Sequence, residues 1–396
     1  SVYGVDINPF AVAIARFRLL VAAVHAAGDT SIEQKIGYTA HLAAGDSLLW
    51  GAPQQALDDD LLTLGQTVRA DATENTAALK EILHRHHDVV VGNPPYITPK
   101  DAALNGTYRT MYRTCHMKYA LTVPFMELLF HLAYSSGQER PAGWVGQITS
   151  NSFMKREFGS KLIEQFLPTV DLRMVIDTSG AYIPGHGTPT VIIVGRNQRP
   201  SAATVRAVLG VRGEPGRPEE PAKGLVWSAI YHHHAEVGYE SPYISVGDLP
   251  RASFGTHPWS LSGGGASDLL TLVCDRSDRM LAQVADSIGI TAFTLEDDVF
   301  IQPADVIRRH SLRPVRPMVV GDELRDWGQR DHSSAIFPYG DDLQPFESVR
   351  NFQSSAEFMW PFRSNLQNNK MFGNQTKVES GLKWGSPDPS VGRFLP

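Results

Sequence analysis

Cysteine is nearly absent from this chain: Cys115 and Cys274 stand far apart and outside any metal-binding spacing. That excludes a disulfide framework and a cysteine zinc site, and it fits a reducing, cytoplasmic setting. No run of about 18 apolar residues stands out, so no membrane span is expected, and the N-terminus has no signal-peptide pattern. Positive charge is not in excess either. The formal net charge is −6, which argues against indiscriminate nucleic-acid binding but leaves room for a local basic patch. The run His232, His233, His234 resembles a metal site only superficially. Consecutive side chains point different ways on any regular element, so no metal is expected there. The chain opens at Ser1 inside an apolar strand and stops abruptly at "GRFLP". Both ends are as expected of a piece cut from a longer polypeptide.

What the sequence does contain is an alternation of strands and helices. Its 396 residues, 42% hydrophobic, suit two domains. "VYGVD" is a strand. Asn8 then caps a helix with Pro9 in its first turn, Gly28 closes that helix, and Phe10, Ile14, Phe17 and Val21 share one face. Further strands are expected at "YTAHLAAG", "DVVVG", "GWVGQITS", "VDLRMVID" and "TPTVIIVGR". Residues 51–80 are polar and acidic and read as a surface excursion. Short connections between alternating elements give an α/β fold, a doubly wound sheet running to about residue 199. Residues 200–285 read as a connecting segment with short strands and one amphipathic helix, "ASDLLTLVCDRSDRMLAQVAD". Residues 286–396 read as a second region of mixed short strands.

The stretch "VVVGNPPY" carries the chemistry. In an open α/β sheet ligands sit outside the carboxyl ends of the strands. There, Pro94 and Pro95 stiffen an extended corner whose carbonyls stay out of any helix. Asn93 adds a side-chain carbonyl, and Tyr96 adds a ring. Two carbonyl acceptors can hold both N–H bonds of an aromatic exocyclic amine and draw its nitrogen toward pyramidal geometry. The lone pair is then free to attack while the ring stacks on the base. Positioning and hydrogen bonding suffice for this chemistry. Two earlier strands end in acids, Asp6 and Asp46. A carboxylate at such an edge suits ribose hydroxyls. Ile7 can lie on a purine face, and Asp46, followed by Ser47, can accept from an adenine amino group. The bland alternatives are a helix cap or a loop acid.

These motifs, with "GVDINPFAVAIARFRLL", "GDSLL", "GQITSNSFM", "GAYIPGHGTPTVIIVGR" and "FMWPFRSNLQNNKMFGNQT", resemble the N6-adenine DNA methyltransferases. The resemblance is strongest to the large PglX-type enzymes of phage-growth-limitation and BREX defence systems, relatives of the type IIG restriction-modification enzymes. It implies a Rossmann-like class I methyltransferase domain followed by a partial α+β target-recognition domain. It also implies S-adenosyl-L-methionine as donor, and double-stranded DNA as partner, with other defence-system subunits as further candidates. Carried over, Asp6 and Ile7 hold the donor's ribose and adenine, and Asp46 holds that adenine's amine. Asn93 and Pro94 take the target amine, and Tyr96 stacks on the target base. Tyr182 or His186 is the candidate second aromatic or stacking group. The resemblance further implies a glycine-rich loop, on a central strand, ahead of Asp6. The chain has no such loop there, so it is expected to lack its first strand and to bind donor poorly alone.

The basic residues Arg308, Arg309, Arg313 and Arg316, and the mixed group Trp360, Arg363 and Lys370, are the expected DNA contacts. Arginine and lysine suit phosphates. Two other readings stay open. One is a methyltransferase acting on protein glutamine or ribosomal RNA. The other is a DNA-binding or assembly module without activity of its own.

Overall fold

The computed structural model describes residues 1–28, 39–52, 75–137, 140–185, 187–261 and 263–286, and from there chiefly 296–319, 333–341 and 348–370 with short pieces between them. The expected excursion over 51–80 therefore lies mostly outside the described residues. The chain divides into two compact units, Ser1–Ser277 and Asp278–Pro396.

The first unit is mixed α/β. Strands β1 (Val2–Asp6) and β2 (Ala40–Ala44) pair in parallel. Helix α1 (Pro9–Ala26) follows β1, started as expected by the Asn8 side chain accepting from the Phe10 N–H. Such a cap is worth about 1 kcal/mol. After α2 (Ser47–Trp50) and α3 (Thr76–Leu83) comes β3 (Val89–Gly92). It opens a separate six-stranded sheet with β4 (Trp144–Ser150), β5 (Asp171–Asp177), β6 (Thr190–Arg196), β7 (Thr204–Gly210) and β8 (Ile244–Pro250), in the order β3-β4-β6-β5-β7-β8. Strand β6 is antiparallel to both of its neighbours, whereas β3 with β4 and β5 with β7 run parallel.

Alternation along the strands explains why both faces of this sheet are covered. On β7, Val205, Ala207 and Leu209 join the main core with α5 (Thr122–Leu132) and the segment 153–170. Val208, facing the other way, packs with Ile176, Ile244 and Val246 against α7 (Leu225–His233) through Val226 and Ile230. One buried acid ties the amino edge together. Asp171 accepts from Ser201 and Gln198 and pairs with Arg251 at 3.0 Å.

Several expectations are corrected. A break at residue 199 does not divide the sheet, since β7 and β8 lie beyond it. The single doubly wound sheet is instead a parallel pair beside a six-stranded mixed sheet. Among the described residues β1 pairs only with β2, and β3 only with β4, so each keeps an unpaired edge. Tyr3 stacks under Arg85 at 5.1 Å and lies 5.1 Å from the His87 ring, so the start of β1 is beside the entry to β3. The apolar face of α1 is not core: Phe10, Ile14 and Phe17 are 78%, 59% and 60% exposed. That helix is also long and apolar enough to cross a membrane by length and composition, contrary to the expectation that no such run exists. Its Arg16, however, donates to the Leu42 carbonyl of β2 at 2.7 Å, which docks it on the domain. The helix expected over 266–286 is two pieces, α8 (Ala266–Arg276) and α9 (Leu281–Val284), because Ser277 and Met280 are extended.

The second unit has a three-stranded antiparallel sheet, ordered β10-β13-β9, from β9 (Ile301–Pro303), β10 (Val315–Met318) and β13 (Ser333–Ile336). Strands β11 (Leu324–Arg325) and β12 (Gly328–Gln329) form a short ladder. Its core gathers Val299, Phe300, Leu312, Ile336, Met359 and Leu366.

Candidate active site and nucleic-acid interface

The corner at 93–96 forms where β3 stops. Gly92 closes the strand under α5; a Cβ there would sit 2.9 Å from the Leu129 Cδ1. Proline then ends the ladder for want of an N–H. Pro94 is buried, Asn93 and Pro95 are exposed, and Tyr96 is half-buried. The Tyr96 hydroxyl donates to the Asn93 Oδ1 at 2.8 Å. Burial pushes the Tyr96 phenol up, which keeps it a proton donor. The bond marks Oδ1 as the acceptor end of the amide and leaves one of its lone pairs open.

Parallel pairing of β1 and β2 brings the two acids to one edge. The Gly45 N–H donates to the Asp6 carbonyl at 2.9 Å, so the turn carrying Asp46 lies against the end of β1. Asp6 is exposed, and its Oδ1 accepts from the Asn8 N–H at 2.7 Å. Ile7 is 70% exposed. An open carboxylate beside an open apolar side chain fits a ribose and a purine face.

Asp46 behaves differently. It is buried, and its Oδ1 caps α2 through the Leu48 and Leu49 N–H groups at 2.9 and 3.2 Å. Its Oδ2 accepts from the Tyr108 hydroxyl. Burial raises the Asp46 carboxyl, against the lowering effect of the Tyr108 and backbone hydrogen bonds. Burial, then the Asp46 charge, drives the Tyr108 phenol well above its ordinary value. Tyr112, one turn on, donates to the Leu48 carbonyl at 2.8 Å. Both tyrosines come from the helix that follows the corner, α4 (Ala102–Met111) and its end, so the chain leaving Tyr96 returns to grip the turn at 46–48. Sequence reasoning missed Tyr108 and Tyr112. Their spacing of four, which puts them on one helix face, is the signal that could have found them. Ser47 is half-buried. Cys115 is buried and its thiol is pushed up to about 12 by burial, so it stays protonated.

Tyr182 is half-buried, with the Arg217 guanidinium 5.9 Å over its ring. His186 lies outside the described residues. In the histidine run, His233 stacks on Tyr239 at 3.9 Å and contacts Glu236 at 3.0 Å.

In the second unit Arg308, Arg309, Arg313, Arg316, Trp360, Arg363 and Lys370 are all exposed. Arg308 and Arg309 end α11 (Ala304–His310), with Arg309 3.7 Å from Asp305. Arg316, on β10, pairs with Asp341 at 2.7 Å. Such exposed pairs are worth little, about 0–1 kcal/mol, and give way readily to a phosphate. Arg363 lies 5.0 Å over the Trp360 ring and donates to the Trp360 carbonyl at 3.1 Å. Most of the basic stretch after Lys370 lies outside the described residues.

Residues 1–183 match the family model described as Eco57I restriction-modification methylase. Over 399 residues the chain is 44% identical to an adenine-specific methyltransferase PglX of Streptomyces coelicolor (strain ATCC BAA-471 / A3(2) / M145), covering 97% of this chain and 33% of that protein. It is 27% identical over 237 residues to the type II methyltransferase M.PaeR7I of Pseudomonas aeruginosa, covering 55% of this chain and 36% of that one. The chain thus spans about a third of the length of each of these curated relatives. Among solved structures, the type IIL restriction-modification enzyme MmeI in complex with DNA has a related fold, with a TM-score of 0.51 at 10% identity over 96% of this chain and 43% of that one.

Proposed function

We propose that this chain is part of a site-specific DNA N6-adenine methyltransferase of a restriction-modification or phage-defence system. What carries the reading is the corner Asn93-Pro94-Pro95-Tyr96 at the carboxyl end of β3, gripped to the Asp46 turn by Tyr108, in a chain 44% identical to an adenine-specific methyltransferase. An adenine inside a duplex must first be turned out, at a cost of a few kcal/mol. The free lone pair of the Asn93 Oδ1 and the Pro94 carbonyl then accept the two N–H bonds of the exocyclic amine. Tyr96 stacks on the base, and Pro95 holds the corner stiff. The donor, S-adenosyl-L-methionine, supplies an electrophilic methyl group when bound. Asp6 and Ile7 take its ribose and adenine, Ser47 lines that turn, and Asp46, which holds the turn, accepts from the adenine amine. No residue here is assigned as a general base.

The fold is read as a class I methyltransferase sheet with one strand absent among the described residues. The unpaired edges of β1 and β3, and the bare apolar face of α1, suit one further parallel strand and its covering segment from polypeptide outside this chain. A glycine-rich turn after that strand would complete the donor cradle. On this reading the catalytic domain takes in the whole six-stranded sheet through β8, and 286–396 forms the target-recognition domain. Its basic residues and Trp360 contact DNA.

The test compares this chain with one extended at its N-terminus, each incubated with labelled donor and duplex DNA. Label recovered as N6-methyladenine from the extended chain, with little from this chain alone, is the expected result. No methylation by the extended chain, with DNA binding retained, would instead favour a binding or assembly module, the reading that the open sheet edge also suits.

A further inference from the structure

A cleft of about 280 Å³ opens between the ends of β4, β5 and β7, bounded by Asn151, Lys155, Asp177, Ser179, Arg212 and Tyr243. It lies on the same carboxyl edge as Asn93, because β3 is parallel to β4 and Asn151 follows β4 directly. The corner that carries the chemistry and this cleft thus share one sheet edge, the cleft running from the end of β4, next to β3, across to the end of β7.

The walls are built to stay close. A Cβ at Gly210 would meet the Asp177 Oδ2 at 2.8 Å, and one at Gly180 would meet the Gly213 Cα at 3.1 Å. The Glu214 N–H donates to the Gly180 carbonyl at 2.8 Å, pinning the loop after β7 to the loop after β5. Met154 and Leu261 give the cleft an apolar part.

Several arginines of this unit are already engaged. Arg173, Arg206 and Arg251 are each committed to an aspartate, and Arg196 to the Ala142 carbonyl. Lys155 and Arg212, by contrast, are exposed and have no side-chain partner among the described residues. Asp177 is turned to structural use, its Oδ1 accepting from the Ser179 N–H at 2.9 Å. Two free cations and one carboxylate leave a net charge of about +1, which one phosphodiester neutralises and a polyphosphate overshoots.

We infer that this cleft holds one backbone phosphate of the DNA strand flanking the target adenine, through Lys155 and Arg212. The inference rests on the DNA reading above and adds a grip on the substrate from the catalytic unit itself. A phosphate fixed farther along the same edge, between the ends of β4 and β7, would hold the backbone while a nucleotide at the Asn93 corner is turned out.

The experiment measures binding of a fluorescein-labelled duplex to the 396-residue chain by anisotropy over a series of salt concentrations. Each neutralised phosphate adds about 0.9 to the slope of log affinity against log salt. The double variant Lys155→Ala, Arg212→Ala is expected to lose about 0.9 from that slope and to bind several-fold more weakly. Lys155→Arg with Arg212→Lys keeps the slope, and so does Arg199→Ala, an exposed cation at the opposite edge of the sheet. An unchanged slope in the double alanine variant, with its melting curve intact, would overturn the cleft site while leaving DNA binding in place. A melting curve lost in the double alanine variant shifts the test to Lys155→Glu alone, for which an unchanged slope overturns the site equally. A wild-type chain with no salt-dependent binding at all would remove both the cleft site and the DNA reading beneath it.

Discussion

At the scale of single residues, the account turns on hydrogen bonds that bring distant parts of the chain together. Tyr108 reaches Asp46 from 62 positions away. Tyr108→Phe removes a donor from a buried carboxylate and should cost roughly 1–3 kcal/mol. A urea titration of both forms checks this, and a loss under a few tenths would mean that the carboxylate finds another donor. Asp171 offers a pH test. Burial would raise its carboxyl, but hydrogen bonds from Ser201 and Gln198 and the Arg173 charge outweigh that and hold it below the usual carboxylate range. A depressed folded pKa means that the stabilisation is present above about 3.9, the ordinary aspartate value, and is lost as pH falls through the folded one. Asp171→Asn should therefore flatten the acid side of the stability curve below about pH 4. An acid limb as steep as the wild type's would place the sensitivity elsewhere.

At the scale of elements, much was legible. Strands β1 to β6 follow from short apolar runs bounded by Gly, Pro, Asn and Asp, and α1 from Asn8, Pro9 and Gly28. The carboxyl-edge position of Asn93 followed from the strand before it. Three things were not legible. Tyr108 meets Asp46 only through folding, and local spacing carries no record of that partner. A helix over 266–286 has the right periodicity, but periodicity does not register the extended backbone at Ser277 and Met280. An apolar stripe tells that a helix face wants cover, not whether the chain supplies it. The last point is testable on α1. Phe17→Ser should change the stability of this chain by no more than about 0.5 kcal/mol, as for an ordinary exposed site. In a chain extended at the N-terminus it should cost about 3 kcal/mol or more, as for a buried aromatic. Equal small effects in both would mean that the face stays bare.

At the scale of the whole molecule, the chain has two units, and each holds one half of the proposed task. The first carries the acceptor corner, the acids for the donor and the phosphate cleft. The second carries exposed arginines on α11 and β10, and a cation stacked on Trp360. Replacing Arg308 and Arg363 by alanine should weaken duplex binding and lower its salt slope by up to about 0.9 for each phosphate left ungripped. The same change should leave donor affinity untouched in the extended chain. A drop in donor affinity would argue against separate tasks. The central claim remains that Asn93 and its diproline corner present an adenine amine for methylation. The most direct measurement is methyl transfer to duplex DNA by the N-terminally extended chain and its Asn93→Ala variant, with DNA affinity read on the same samples. The account predicts a loss of about 100-fold or more in the transfer rate with duplex affinity unchanged. Transfer by Asn93→Ala at the wild-type rate would contradict it.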